Sequence, residues 1–142
     1  MDFPFEINCL SENDTVSLAK EFSEILEEGE LIVLTGNLGT GKTFFVKEVL
    51  KNYDISNVTS PSFSIVNEYH GNQKFYHFDF YRLKNIKELS DIGFQDYLND
   101  SESIIFIEWG ELFEDILPKN HIKIVIENLG DSKRKFTIIK YE

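Results

Sequence analysis

A single cysteine, Cys9, stands in a chain of 142 residues. No intrachain disulfide can form, and a reduced, cytoplasmic setting is expected. Arginine is nearly as scarce, with only Arg82 and Arg134. The formal net charge is −11, so the chain lacks the basic face that nucleic-acid binders show. That argues against direct, strong binding to nucleic acid and leaves a local patch at Lys133, Arg134 and Lys135, read as a solvated hairpin. No apolar run reaches the roughly 18 residues needed to span a bilayer. The opening segment MDFPFEINCLSEND is acidic and has no apolar h-region, so neither a membrane span nor a signal peptide is expected. No Cys/His set suggests zinc, and no Ser/His/Asp arrangement can be argued from spacing. Repeats, low-complexity tracts and Pro/Gly/Ser linkers are absent as well.

The composition that remains suits one globular domain spanning residues 1–142. Hydrophobic residues make up 42 % and include thirteen Phe, ample material for a core. Phe3, Phe5, Ile7 and Cys9 alternate with other residues, which predicts a short strand. Ser11 and Asp14 make a capping-box-like pair before a helix whose apolar stripe is Leu18, Phe22, Ile25 and Leu26, with Gly29 as its stop. Leu31 to Thr35 is a continuous apolar run, the signature of a strand buried on both faces. A helix is expected from about Lys42 to Lys51. Pro61 then breaks the chain, and strands are expected at Phe63 to Tyr69 and Phe75 to Tyr81, joined around Gly71-Asn72. Asn85 to Leu98 reads as helical pieces interrupted near Gly93. Ile104 to Ile107 is a second buried-strand run. Ile122 to Ile126 and Phe136 to Ile139 form a hairpin around Gly130-Asp131. The expected fold is α/β: a mixed, P-loop NTPase-like sheet flanked by helices.

Gly36-Asn37-Leu38-Gly39-Thr40-Gly41-Lys42-Thr43 satisfies G-x-x-x-x-G-K-[ST]. In that pattern the glycines let the backbone curl until successive N–H groups face phosphate oxygens. The following helix adds its positive dipole end. Lys42 is expected to reach the β- and γ-phosphates of ATP as a point charge, and Thr43 to offer its hydroxyl to Mg²⁺. The loop also stands where the pattern requires, after a buried strand and before a helix. A metal-binding carboxylate should lie at the end of a neighbouring strand, and Asp79 and Glu108 compete for that place. Glu108 follows the more apolar run, although Asp is the commoner residue there. Either acid can also be read as a structural hydrogen-bonder. Thr59, in the Pro-marked loop, reads equally as a γ-phosphate sensor or an ordinary turn residue. His77 reads as a packed strand residue.

Taken together, GNLGTGKT, VTSPSFSIVNEY (58–69), YHFDFYRL (76–83), IGFQDYL (92–98) and IEWGE (107–111) resemble the TsaE family. These are bacterial P-loop ATPases needed for the threonylcarbamoyladenosine modification of tRNA. The pieces occur in family order and cover most of the chain, and TSPSF followed by HFDFYRL and EW is the specific part. The resemblance implies that Gly39 to Thr43 bind the ATP phosphates and that Thr43 binds Mg²⁺. It implies that Asp79 and Glu108 are essential acids, with Glu108 at the metal. Thr59 would belong to a switch-like loop, Ser11 to Thr15 to the edge of the adenine pocket, and Trp109 would sit beside the site. Gly110 departs from the proline common after the EW pair, and Gln95 from an occasional arginine. The family acts with TsaD and TsaB, so contact with tRNA would be indirect, in keeping with the acidic charge. The alternatives to an ATPase are a small-molecule P-loop kinase and a non-catalytic nucleotide-binding adaptor. A kinase usually needs arginines over the transferred phosphate, and Arg134 is remote in sequence.

Overall fold

The computed structural model describes residues 1–59 and 65–142. Its elements in chain order are β1 (Phe5–Cys9), α1 (Glu12–Ile25), β2 (Leu31–Thr35), α2 (Lys42–Lys51), β3 (Val66–His70) and β4 (Lys74–Asp79). Then follow α3 (Lys87–Asp91), α4 (Phe94–Leu98), β5 (Ser103–Glu108), β6 (His121–Gly130) and β7 (Lys133–Tyr141). Tight 3-10 turns occupy Phe80–Arg82 and Gly110–Ile116. All strands join one sheet, ordered β1-β7-β6-β2-β5-β4-β3. The centre, β6-β2-β5-β4, is parallel, and the pairs β1–β7, β6–β7 and β3–β4 are antiparallel. This is the mixed α/β sheet with flanking helices that the sequence predicts.

The expectation of strands covered on both faces holds for β2 and β5, where every residue is buried. Period-two alternation splits them between two cores. Ile32, Leu34, Ile104 and Phe106 face α1 and α2, meeting Phe22, Phe45 and Val49. Leu31, Val33, Ile105 and Ile107 face the other way, toward Leu89, Phe94 and Trp109. The two core faces clamp β2 and β5 in the middle of the sheet, which fixes where their C-terminal ends emerge.

Local boundaries shift where tertiary contacts override the pattern. The predicted α1 stripe included Leu26, but the helix stops at Ile25 and Leu26 is already extended, with φ −69° and ψ 140°. Gly29, at φ +86°, instead turns the chain into β2, its N–H donating to the Ser103 carbonyl at 2.8 Å. The strand expected from Phe75 runs Lys74–Asp79 and then tightens into the Phe80–Arg82 turn. The helical pieces expected at 85–98 are α3 and α4, separated by Gly93 at φ 76°. The C-terminal hairpin is longer than its apolar residues suggested, because polar residues continue the ladder out to Gly130 and Lys133. Pro61 and Phe63, at the expected chain break and strand start, lie outside the described residues.

Candidate functional site

The 36–43 loop leaves the C-terminal end of β2 and enters α2 directly. Its first glycine is required by close approach: a Cβ on Gly36 would sit 2.7 Å from the Ile126 carbonyl oxygen. Gly41 is the N-cap of α2 at φ 97°, a conformation glycine adopts without steric cost. It forms no side-chain cap hydrogen bond. A helix N-terminus without a side-chain acceptor at its cap is suited to an anion.

Lys42 is buried. Its Nζ donates to the carbonyls of Gly36 and Asn37, the second at 3.2 Å, and lies 3.9 Å from the centroid of the Trp109 ring. Burial pushes its pKa down, while the charges of Glu108, Glu111 and Asp79 act the other way. Trp109 is held at φ 63°, its N–H donating to Leu34 O at 3.3 Å. Its ring packs on Tyr81 at 5.0 Å. The lysine is therefore seated by backbone carbonyls and an aromatic face.

The two competing acids prove to be neighbours. Asp79 and Glu108 end β4 and β5 and are directly opposite in register. Glu108 is only 4 % exposed, and the Thr43 hydroxyl lies 3.0 Å from its Oε1 and 2.8 Å from its Oε2. His77 Nε2 lies 2.6 Å from the same Oε2. Asp79 accepts from the Tyr81 N–H at 3.1 Å and pairs with Arg82 Nε at 3.6 Å. Burial raises the Asp79 pKa first, and the nearby Glu108 charge raises it further. The Tyr81 N–H, Arg82 and His77 oppose that shift. A cavity of about 430 Å³ brings together Gly39 to Phe44, Asp79, Arg82, Glu108 and Trp109. A larger one, about 570 Å³, lies between the 110–116 turn and the start of β6 and contains no residue of the loop.

Ser11, Thr15 and Thr59 do not line the 430 Å³ cavity. Ser11 caps α1, its Oγ accepting from the Asp14 N–H at 3.2 Å, while Asp14 Oδ2 accepts from Leu10 N at 2.9 Å. Its hydroxyl is thus engaged at the helix start. Thr15, with Glu12, lines a cavity of about 170 Å³ that reaches Thr40, Gly41, Phe44 and Arg134. Thr59 is exposed and tied to β3 through its backbone: its N–H donates to Tyr69 Oη at 3.3 Å, and its carbonyl accepts from Asn67 Nδ2 at 3.1 Å. It is not among the residues lining the 430 Å³ cavity.

Arg134, set aside for its distance in sequence, in fact reaches the loop. Its Nε donates to Thr40 O at 2.9 Å and its Nη2 to Gly39 O at 3.5 Å. His77 was read as packing alone, yet it bonds the Glu108 carboxylate. Neither role has a local sequence signal. The first needs the β6–β7 hairpin register, and the second needs β4 beside β5.

A glycine loop running from a buried parallel strand into a helix, with acids ending the next two strands of the sheet, is the arrangement of P-loop α/β proteins. Residues 9–136 match the family described as threonylcarbamoyl adenosine biosynthesis protein TsaE, and the chain belongs to that family. The proteins named tRNA threonylcarbamoyladenosine biosynthesis protein TsaE from Rickettsia felis and Borreliella burgdorferi are 36 % and 41 % identical to it. The first alignment covers 91 % of this chain and 76 % of the relative, the second 79 % and 82 %. The crystal structure of YdiB from Bacillus subtilis superposes with a TM-score of 0.79 at 28 % identity, covering 97 % of this chain and 86 % of that one.

Proposed function

We propose that this chain binds Mg-ATP at the 36–43 loop and hydrolyses it as a cytoplasmic component of the machinery that makes threonylcarbamoyladenosine in tRNA, acting with TsaD and TsaB. The observation that carries the reading is the contact between the Thr43 hydroxyl and both Glu108 oxygens, at 3.0 and 2.8 Å. It places a hydroxyl and a carboxylate, the hard oxygen donors that suit Mg²⁺, at the entrance to α2. These residues fit the metal, and Thr43 and Glu108 would hold it. Bound Mg²⁺ would neutralise charge developing on the β- and γ-phosphates.

The chain's own residues divide the remaining work. The N–H groups from Gly39 to Thr43 orient the phosphates, and Lys42 supplies a cation to them. Asp79 lies across from Glu108, and burial holds its carboxyl above the usual range. A carboxylate so tuned is a better acceptor of the attacking water's proton, and we assign it that place. Trp109 and Tyr81 wall the cavity. No helix among the described residues is long and apolar enough to cross a membrane.

Partner dependence follows from the arginines. Phosphoryl transfer gains on the order of 10³-fold or more from an arginine over the γ-phosphate. Arg82 is engaged with Asp79, and Arg134 with the loop carbonyls. We therefore expect slow turnover alone and acceleration by TsaB and TsaD, with tRNA contacted through them. Steady-state phosphate release would be measured for the chain alone and with stoichiometric partners. A rate that is high alone and unmoved by the partners would contradict this reading and favour an independent ATPase or a kinase.

A further inference from the structure

The acid beside Thr43 is itself held from behind. On β4, period-two alternation puts Phe75, His77 and Asp79 on one face, the face toward α2. His77 is directly opposite Phe106, so Glu108 is its diagonal neighbour on β5. That diagonal is within reach of a long or aromatic side chain. His77 is fully buried, and its Nε2 lies 2.6 Å from Glu108 Oε2. Its Nδ1 is also buried and has no hydrogen-bond partner among the described residues.

The orphaned Nδ1 decides the tautomer. A neutral imidazole carries one N–H. A proton on Nδ1 would bury an unpaired donor and set two lone pairs against each other across the Nε2–Oε2 contact. A proton on Nε2 makes a donor–acceptor pair and leaves only a lone pair unmatched, the smaller loss. Glu108 Oε2 therefore accepts from both His77 and Thr43, which restrains its side chain.

We propose that His77 is a positioning residue for metal-dependent nucleotide binding: its Nε2–H fixes the Glu108 carboxylate against the Thr43 hydroxyl, so that the oxygen pair is preformed. The inference rests on the reading that Thr43 and Glu108 hold Mg²⁺. Hydrogen bonds to a ligating carboxylate orient it, and their loss typically costs 10- to 100-fold in metal affinity. Among side chains that fit a buried strand, histidine spans the diagonal and still donates.

The test is the Mg²⁺ dependence of affinity for a non-hydrolysable ATP analogue, by calorimetry with Mg²⁺ and with EDTA. His77→Phe keeps a ring beside Phe75 and Phe106 but removes the donor. We expect it to lose about tenfold of the Mg²⁺-dependent gain with EDTA affinity within about twofold of wild type. His77→Gln, which can offer an N–H at similar reach, should recover most of the gain. A gain unchanged in His77→Phe, or an equal loss with and without metal, would overturn the proposal. Should His77→Phe fail to fold, ¹⁵N spectra of histidine-labelled wild type still decide. A protonated Nε2 and bare Nδ1 support the assignment, and an Nδ1–H tautomer contradicts it. A wild-type protein whose analogue binding gains nothing from Mg²⁺ would refute the metal reading itself, whatever the spectra show.

Discussion

Replacing Arg134 by alanine removes a side chain that ties β7 to the loop across most of the sequence. Its Nε donates to Thr40 O at 2.9 Å and its Nη2 to Gly39 O at 3.5 Å, while Nη1 is anchored by Asn128 Oδ1 at 3.1 Å and Lys133 O at 2.9 Å. A hydrogen bond from a charged donor contributes about 1.5–3 kcal/mol. The longer bond to Gly39 and the two anchoring bonds lie on the exposed side, where water replaces them at little loss. The half-buried bond to Thr40 then leaves about 1 kcal/mol. If the loop must be ordered to take phosphate, that energy appears as about fivefold weaker binding of nucleotide. Arg134→Lys keeps the charge but loses the planar fork, so it should resemble the alanine variant. Titration with a fluorescent ATP analogue measures both variants, and amide exchange at Thr40 and Gly41 should speed up in each. Unchanged affinity in Arg134→Ala would refute the brace. Full recovery in Arg134→Lys would show that the charge acts, not the geometry.

Two further outcomes follow from the same geometry. Glu108→Gln should weaken Mg²⁺-dependent ATP binding more than Mg²⁺-free binding, whereas Asp79→Asn should bind Mg-ATP nearly normally and lose turnover; the opposite pattern would exchange the two roles. A Cβ on Gly110 would sit 2.5 Å from Val33 Cγ1 and 3.2 Å from Leu117 Cδ1, so Gly110→Ala should destabilise by about 1–3 kcal/mol in urea unfolding, and Val33→Ala should relieve part of that cost in the double variant.

Much of this molecule could be read from local pattern. The apolar runs at 31–35 and 104–107 marked the central strands because both faces of those strands are covered. The loop motif placed α2 at Lys42–Lys51 because its glycines and the helix start are one unit. The neighbouring acids required more. Asp79 and Glu108 each looked adequate alone, and only the parallel register of β4 on β5 sets them opposite one another. Arg134 and His77 were undervalued for the same reason, since their partners are fixed by strand register rather than by spacing along the chain. Ser11 is a different case. Its hydroxyl satisfies the start of α1, a local need that its own capping pattern with Asp14 had already announced.

We assign ATP binding to the loop through Lys42 and its neighbouring N–H groups. Calorimetric titration of a non-hydrolysable ATP analogue with Mg²⁺, into wild type and into Lys42→Ala, tests it most directly. Lys42 is buried, and its hydrogen bonds run to backbone carbonyls. Its removal withdraws the motif's cation from the phosphates, and circular dichroism of the variant checks that the fold survives the loss of those bonds. Measurable binding to wild type and at least a tenfold loss in the variant, about 1.4 kcal/mol or more, are expected. Equal affinity of the two proteins would contradict the assignment.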